Sequence, residues 1–298
     1  MPSRQPLTIR VPATSANLGP GYDCLGLAVN LWLEVRVEEA EQYSFTYEGE
    51  GHLPDNRHNL TNYGFTAAFR ELGLTPPEVA FHVKNPIPLA RGLGSSSAAL
   101  VAGAVAADVL SGGRLGADGV FQLCARAEGH PDNVAPAVYG GFTVSAQENG
   151  AYLTRSLPLP DDWHFLFAVP DLELTTVAAR KVVPEQFSLE DVITTASHAA
   201  LWPLAVATAD TELLEVASRD VLHQPYRESL LPGFREAVAA ARSAGAWSVF
   251  LSGAGPTIGT VCSADALPAV KEALAPYGRV LDLAGAAGFE VSGLPAAP

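Results

Sequence analysis

"NPIPLARGLGSSSAAL" runs from Asn85 to Leu100. Two prolines lead into Gly92-Leu93-Gly94, three serines follow, and an alanine- and valine-rich run continues to Leu110. Upstream, Val79–Lys84 alternates apolar and polar residues as a strand does; downstream, Ser95–Leu110 reads as a helix. The glycines therefore fall in a strand-to-helix turn. Glycine lets backbone N–H groups close on an anion, and a helix start adds unpaired N–H donors and partial positive charge. Ser95 alone would serve as a plain N-cap. Three hydroxyls exceed what a cap requires, and a phosphate cradle is the functional reading.

The cradle is of an unusual kind. No G-x-x-x-x-G-K-[ST] occurs, and no lysine lies between Lys84 and Lys181. "GLGSSS" also lacks the third glycine of a dinucleotide fingerprint. A loop that meets phosphate without lysine needs another counter-charge. Mg²⁺ held by a hydroxyl and a carboxylate supplies one.

Composition narrows the classes. The chain has 298 residues, 48% of them hydrophobic and 17% charged, enough for one large domain or two ordinary ones. Its net charge of −14 and the absence of any basic run argue against nucleic acid and against an anionic membrane surface as partners. Cys24, Cys124 and Cys262 lie far apart, without the spacing of a zinc site or a disulfide framework. The opening "MPSRQPLTIRVPATSA" has no apolar signal-peptide core, and the longest apolar run, Ala98–Leu110, is too short to span a bilayer. A soluble cytoplasmic protein is the expectation.

Strands are predicted at Leu7–Val11, Ala28–Val37, Tyr43–Tyr47, Val79–Lys84 and Gly141–Ser145, and helices at Leu60–Leu72, Ser95–Leu110 and Gly119–Ala127, the last capped by Asp118. "RSLPLPDDW" (Arg155–Trp163) reads as a linker. It divides the chain into 1–157 and 158–298. The second part opens with a strand at His164–Val169, continues with three or four helices between Leu189 and Ala244, and places adjacent strands at Trp247–Leu251 and Thr257–Val261. A helix near Ala266–Leu274 and strands near Arg279–Leu283 and Phe289–Val291 close it. The mixed order points to an α+β fold.

Two further stretches join the first. "PATSANLGPGYDCLGLAV" (Pro12–Val29) and "LSGAGPTIGTV" (Leu251–Val261), with the Pro88–Ala98 loop, resemble the three motifs of the GHMP kinases, in order. "EGHPDNVAPAVYGGF" (Glu128–Phe142), "ARKVVP" (Ala179–Pro184) and "YRESLLPGFREA" (Tyr226–Ala237) narrow the resemblance to the homoserine kinase family, over nearly the whole chain. The resemblance implies an S5-like (ribosomal protein S5 domain 2-like) N-terminal domain, a ferredoxin-like C-terminal domain, and a site between them. There the γ-phosphoryl group of ATP would pass to the side-chain hydroxyl of L-homoserine, in threonine biosynthesis. A homodimer is implied by the family alone.

The resemblance also assigns residues. Pro88, Leu89, Ala90, Arg91, Gly92, Leu93, Gly94, Ser95, Ser96, Ser97 and Ala98 would bind ATP, with Asn59 toward the adenine. Glu128 would hold Mg²⁺ with Ser96, and Ser97 is the alternative hydroxyl. Taken as bare residues, Glu128 reads as a solvated helix end and Asn59 as an N-cap. Homoserine is a zwitterion, so arginine forks suit its carboxylate and an acidic group its ammonium. Arg180 and Arg235 match the first need; Asn17 and Asp23 match amino-acid-binding positions. His130 falls toward the carboxylate and Asn133 toward the hydroxyl, with Asn133, Asp23 and Glu128 as the catalytic set. His52, His58, His82, His164, His198 and His223 read as structural, and Gly253-Ala254-Gly255 as support for the phosphate loop. A mevalonate-type GHMP kinase and a non-catalytic ligand-binding relative are the competing readings.

Overall fold

The computed structural model describes residues 6–54 and 56–293. β1 (Leu7–Ala16) and β2 (Leu25–Glu39) run antiparallel from Leu7 opposite Val37 to Ala16 opposite Gly26, with a register shift at Pro12/Ala13. The far half of β2 alternates, burying Leu33, Val35 and Val37; its near half, Leu25–Val29, is buried throughout. A strand covered on both faces reads as a continuous apolar run. There follow β3 (Ser44–Gly49), α1 (Leu60–Glu71), β4 (Val79–Asn85), α2 (Ser95–Leu110), α3 (Gly116–Glu128), α4 (Val134–Tyr139), β5 (Phe142–Glu148) and β6 (Ala151–Leu157).

The second half holds β7 (His164–Val169), α5 (Thr176–Lys181), α6 (Leu189–Thr208), two short helices α7 (Leu214–Ala217) and α8 (Gln224–Arg227), α9 (Phe234–Ser243), β8 (Ser248–Leu251), β9 (Ile258–Cys262), α10 (Leu267–Leu274), β10 (Arg279–Leu283) and β11 (Glu290–Ser292). One sheet runs β11-β1-β2-β4-β3, with β5 pairing β2 and β6 beside it; the other runs β10-β7-β9-β8. The second sheet and its helices follow the β-α-β-β-α-β succession of ferredoxin-like folds. The fold is α+β in two parts, as the sequence led us to expect.

Three details depart from expectation. The linker begins later, because Tyr152 and its neighbours pair with β5 as strand β6. Asp118 is not a cap: α3 starts two residues earlier, and Asp118 sits inside its first turn. The chain end does not stay in the second half. β11 pairs with β1, and Ala286 N–H donates to Ala28 O at 3.0 Å, so a division at 158–298 separates the last strand from its own sheet. Residues 1–5 and 294–298 of that division lie outside the described part.

One buried cluster joins the halves. It runs from Ile9, Val35 and Phe81 to Phe165, Trp202 and Phe250. Trp202 stacks on Phe142 of β5 at 6.1 Å and meets Phe250 of β8 edge-on at 5.9 Å. A buried tryptophan of this kind typically holds about 3–5 kcal/mol against truncation to alanine. A second cluster, including Leu166, Phe234, Ala237 and Val270, lies under α9 and α10. All three cysteines are free thiols.

Candidate active site

The glycine loop is fixed by its neighbours. Gly92 and Gly94 both take left-handed φ values, 81° and 69°. A Cβ on Gly92 would lie 2.2 Å from the Ser252 carbonyl oxygen, and one on Gly94 would lie 1.9 Å from Thr14 Oγ1. Thr14 N–H donates to Leu93 O at 3.1 Å, Ser252 Oγ–H donates to Gly92 O at 2.6 Å, and Gly253 N–H donates to Ala16 O at 2.9 Å. Three motifs distant in sequence thus meet at one turn. Arg91 ties the loop to the second half: its Nε donates to Pro170 O at 3.1 Å, and its Nη1 lies 3.5 Å from the Glu173 carboxylate.

Gly94 occupies the N-cap of α2, and no side chain caps the helix. The first-turn N–H groups stay available to an anion. Ser95 is not the cap: its Oγ accepts from Asn85 Nδ2 at 3.0 Å inside the protein. Ser96 is exposed, whereas Ser97 is fully buried and its hydroxyl makes no hydrogen bond of normal geometry. Both hydroxyls lie close enough to Glu128 to lower its pKa, yet burial dominates and raises it. A buried carboxylate beside an orphaned hydroxyl is a donor set that suits a hard cation such as Mg²⁺.

Behind Glu128 lies a charged cluster. His130 Nε2 is 3.8 Å from Glu128, and His130 Nδ1 is 2.5 Å from Asp132, itself 2% exposed. Burial works against the imidazolium, but the Asp132 hydrogen bond and the charges of Asp132, Glu128 and Asp23 together raise its pKa. Asp23, His130 and Asp132 bring ligand atoms within 4.8 Å of one another. Asp23 is already engaged, because Arg180 grips both its oxygens, at 2.9 and 2.6 Å. Asn17 holds Asp23 in place: its Oδ1 accepts from Asp23 N–H at 3.0 Å and its Nδ2 donates to Gly253 O at 2.9 Å. Asn17 is 4% exposed, and both ends of its amide are in use within the protein. Asn133 Oδ1 accepts from Thr14 Oγ1–H at 2.8 Å, which sets it directly beside Gly94.

The structure does not bring Arg235 into this cluster. Its side chain is 78% exposed on α9 and pairs with Glu228. Arg227, eight residues earlier in the same quoted stretch, stands there instead, 1% exposed. Its guanidinium lies 5.3 Å from the Tyr22 ring, as does that of Arg180, and no carboxylate approaches it within 4 Å among the described residues. Burial, aided by the nearby Arg180 charge, lowers its pKa. The missed signal was "PYRESLLP": a residue held by a one-turn helix after proline is fixed by its backbone, whereas a helix-face arginine is ordinarily solvated.

Asn59 does cap α1, accepting from Asn62 N–H at 2.8 Å, and its Nδ2 donates to Tyr43 Oη at 2.7 Å. It also lines an apolar cavity of about 230 Å³ with Leu33, Leu53, Val83 and Ser96. A cavity of about 400 Å³ holds Glu128, His130 and Arg180, with Tyr63 and Val177 at its mouth. A further cleft, about 580 Å³, follows Pro88–Arg91 toward Glu173 and Arg279 and contains none of the charged cluster.

Known proteins resemble this chain in sequence and in fold. Residues 59–141 match the GHMP kinases N terminal domain, and residues 205–279 match the GHMP kinases C terminal domain. The chain is 48% identical to a homoserine kinase of Thermus thermophilus, over 94% of this chain and 96% of that relative. It is 44% identical to that of Moorella thermoacetica, over 85% and 86%. The crystal structure of homoserine kinase from Cytophaga hutchinsonii superposes with a TM-score of 0.88 at 27% identity, over 98% of this chain and 99% of that one. The chain belongs to the homoserine kinases, a family within the GHMP kinase superfamily.

Proposed function

We propose that this chain transfers the γ-phosphoryl group of ATP to the side-chain hydroxyl of L-homoserine, forming O-phospho-L-homoserine in threonine biosynthesis. The observation that carries the substrate is the trio of Asp23, Arg180 and buried Arg227 beside the glycine loop. An ammonium group suits Asp23, and a carboxylate suits Arg180 and the unpaired Arg227. A mevalonate-type acid offers nothing for Asp23. The β- and γ-phosphates would rest on the N-terminus of α2, with adenine in the apolar cavity at Asn59.

Glu128 would hold Mg²⁺ with Ser96 or Ser97, and the ion when bound supplies the counter-charge that a lysine-free loop lacks. The remaining work falls to the protein. Asn133 fixes the hydroxyl, and as an amide it takes no proton at neutral pH. Asp132 is engaged with His130. A loose phosphoryl-transfer transition state needs little prior deprotonation, so orientation and charge carry the rate.

No described helix is long and apolar enough to cross a membrane. We place the enzyme in the cytoplasm as a homodimer; exposed Leu189, Val192, Ile193 and Leu204 along α6 support a face for self-association. A coupled ADP-release assay with homoserine, with mevalonate and with no acceptor tests the central reading. ADP is expected with homoserine alone. ADP release with mevalonate, or none with homoserine, overturns it.

A further inference from the structure

Arginine carries five N–H donors in a fixed fork. In Arg227, Nε donates to Ala179 O at 3.1 Å, and Nη1 donates to Gly253 O at 3.0 Å and to His223 Nδ1 at 3.0 Å. Among the described residues Nη2 has only a long contact, 3.4 Å, to Tyr22 Oη. The free edge of the guanidinium is therefore Nη2, on the side of Tyr22.

His223 supplies the side-chain acceptor for Nη1. Its ring is fully buried, and its Nε2 lies 2.7 Å from the carbonyl oxygen of Gly19, in the first motif. A carbonyl only accepts, so Nε2 carries the proton and Nδ1 is left bare for Arg227. Asp220 lies 3.2 Å from the same Nε2 and is fixed in turn by N–H groups of Leu222 and Gln224, each at 2.7 Å. The charged groups facing the ring are Asp220 on the preceding loop, Arg227 on α8, and Asp23 from the β1–β2 loop. Burial first, with the Arg227 charge added to it, outweighs Asp220 and pulls the imidazole pKa down, in keeping with a neutral ring that donates from Nε2 and accepts at Nδ1.

We propose that His223 is a positioning residue: its bare Nδ1 accepts from Arg227 and turns the free edge of that guanidinium toward the substrate carboxylate. The same ring fastens Arg227 to the first motif through Gly19. A protonated ring would set an N–H against the Nη1–H of Arg227 and push it out of line. This rests on Arg227 meeting the homoserine carboxylate, as proposed above.

Two variants separate positioning from packing. His223→Gln keeps an N–H for Gly19 but loses the acceptor at the Nδ1 position; His223→Asn keeps the acceptor. His223→Gln should raise KM for homoserine on the order of tenfold with KM for ATP unchanged, the effect of stranding one buried donor of a charged group. His223→Asn should stay within about threefold of the parent enzyme by the same reasoning. Equal KM values in both variants, or parallel losses for both substrates, overturn the proposal. Arg227→Ala measured alongside distinguishes the failures: if it leaves KM for homoserine unchanged, the carboxylate reading falls; if it raises KM while His223→Gln does not, only the role of His223 falls. Should neither variant fold, ¹⁵N spectra of the parent enzyme at pH 6 decide: an Nε2–H ring with unprotonated Nδ1 is expected, and a doubly protonated or Nδ1–H ring contradicts it.

Discussion

The phosphate end of the site and the amino-acid end are made of different materials. At the proposed phosphate end the features are those of the backbone: two left-handed glycines, an uncapped helix start, and carbonyls tied to Ser252 and Thr14. The side chains nearest the helix start are small hydroxyls and one carboxylate, with Arg91 turned away toward Pro170 and Glu173. At the amino-acid end the groups are charges collected from four places: Asp23 before β2, His130 before α4, Arg180 on α5 and Arg227 on α8. A backbone site depends on where a Cβ is forbidden. A charge site depends on which of several similar residues is buried and left unpaired.

The largest expected effect strikes where the two ends meet. Glu128→Gln should cost kcat on the order of 10²–10⁴-fold, since a catalytic cation is worth several kcal/mol of charge stabilisation. KM for homoserine should barely change. An enzyme that keeps most of its kcat at saturating magnesium would show that Glu128 is only a buried helix end.

Gly92→Ala tests the backbone end by itself. The left-handed turn and the 2.2 Å approach to Ser252 O leave no room for a methyl group. We expect about 2–4 kcal/mol of lost stability, read as a fall in Tm, together with weaker ATP binding. A variant of normal Tm and normal KM for ATP would mean that the loop is not held as described.

The same contrast explains what the sequence reveals. Gly92-Leu93-Gly94 between an alternating strand and an apolar helix is a local pattern, and local patterns fix local backbone. β6 escaped because a strand with Leu153 and Arg155 outward among prolines looks like linker until β5 lies beside it. β11 was legible as a strand, but its partner β1 lies at the far end of the chain. The arginines were hardest. Arg227 and Arg235 occupy one quoted stretch, and only the packing of α8 under Tyr22 separates a buried cation from a solvated one. Arg180 could be named only from the surrounding "ARKVVP"; its pairing with Asp23 shows only once the chain is folded. Ser97, the orphaned hydroxyl, differs from its neighbours only in which way the first turn of α2 faces.

A smaller effect is expected at Asp132. Its carboxylate is buried against His130, and a positioned general base contributes on the order of 10²–10⁴-fold. Asp132→Asn should lose less than about 10²-fold in kcat. A folded variant that binds both substrates yet falls within the full range for a base would make Asp132 the proton acceptor.

The central claim is that Arg227, a buried cation with no carboxylate within 4 Å among the described residues, serves the amino-acid end, and that Arg235 does not. The most direct test is KM for homoserine in Arg227→Ala and Arg235→Ala, measured in one assay with ATP saturating. Hydrogen bonds to charged groups are worth about 1.5–3 kcal/mol, so Arg227→Ala should raise KM about 10- to 150-fold, as should Arg180→Ala. Arg235→Ala, which breaks only an exposed ion pair, should change it by less than about threefold. A large rise for Arg235→Ala with an unchanged Arg227→Ala would contradict the claim.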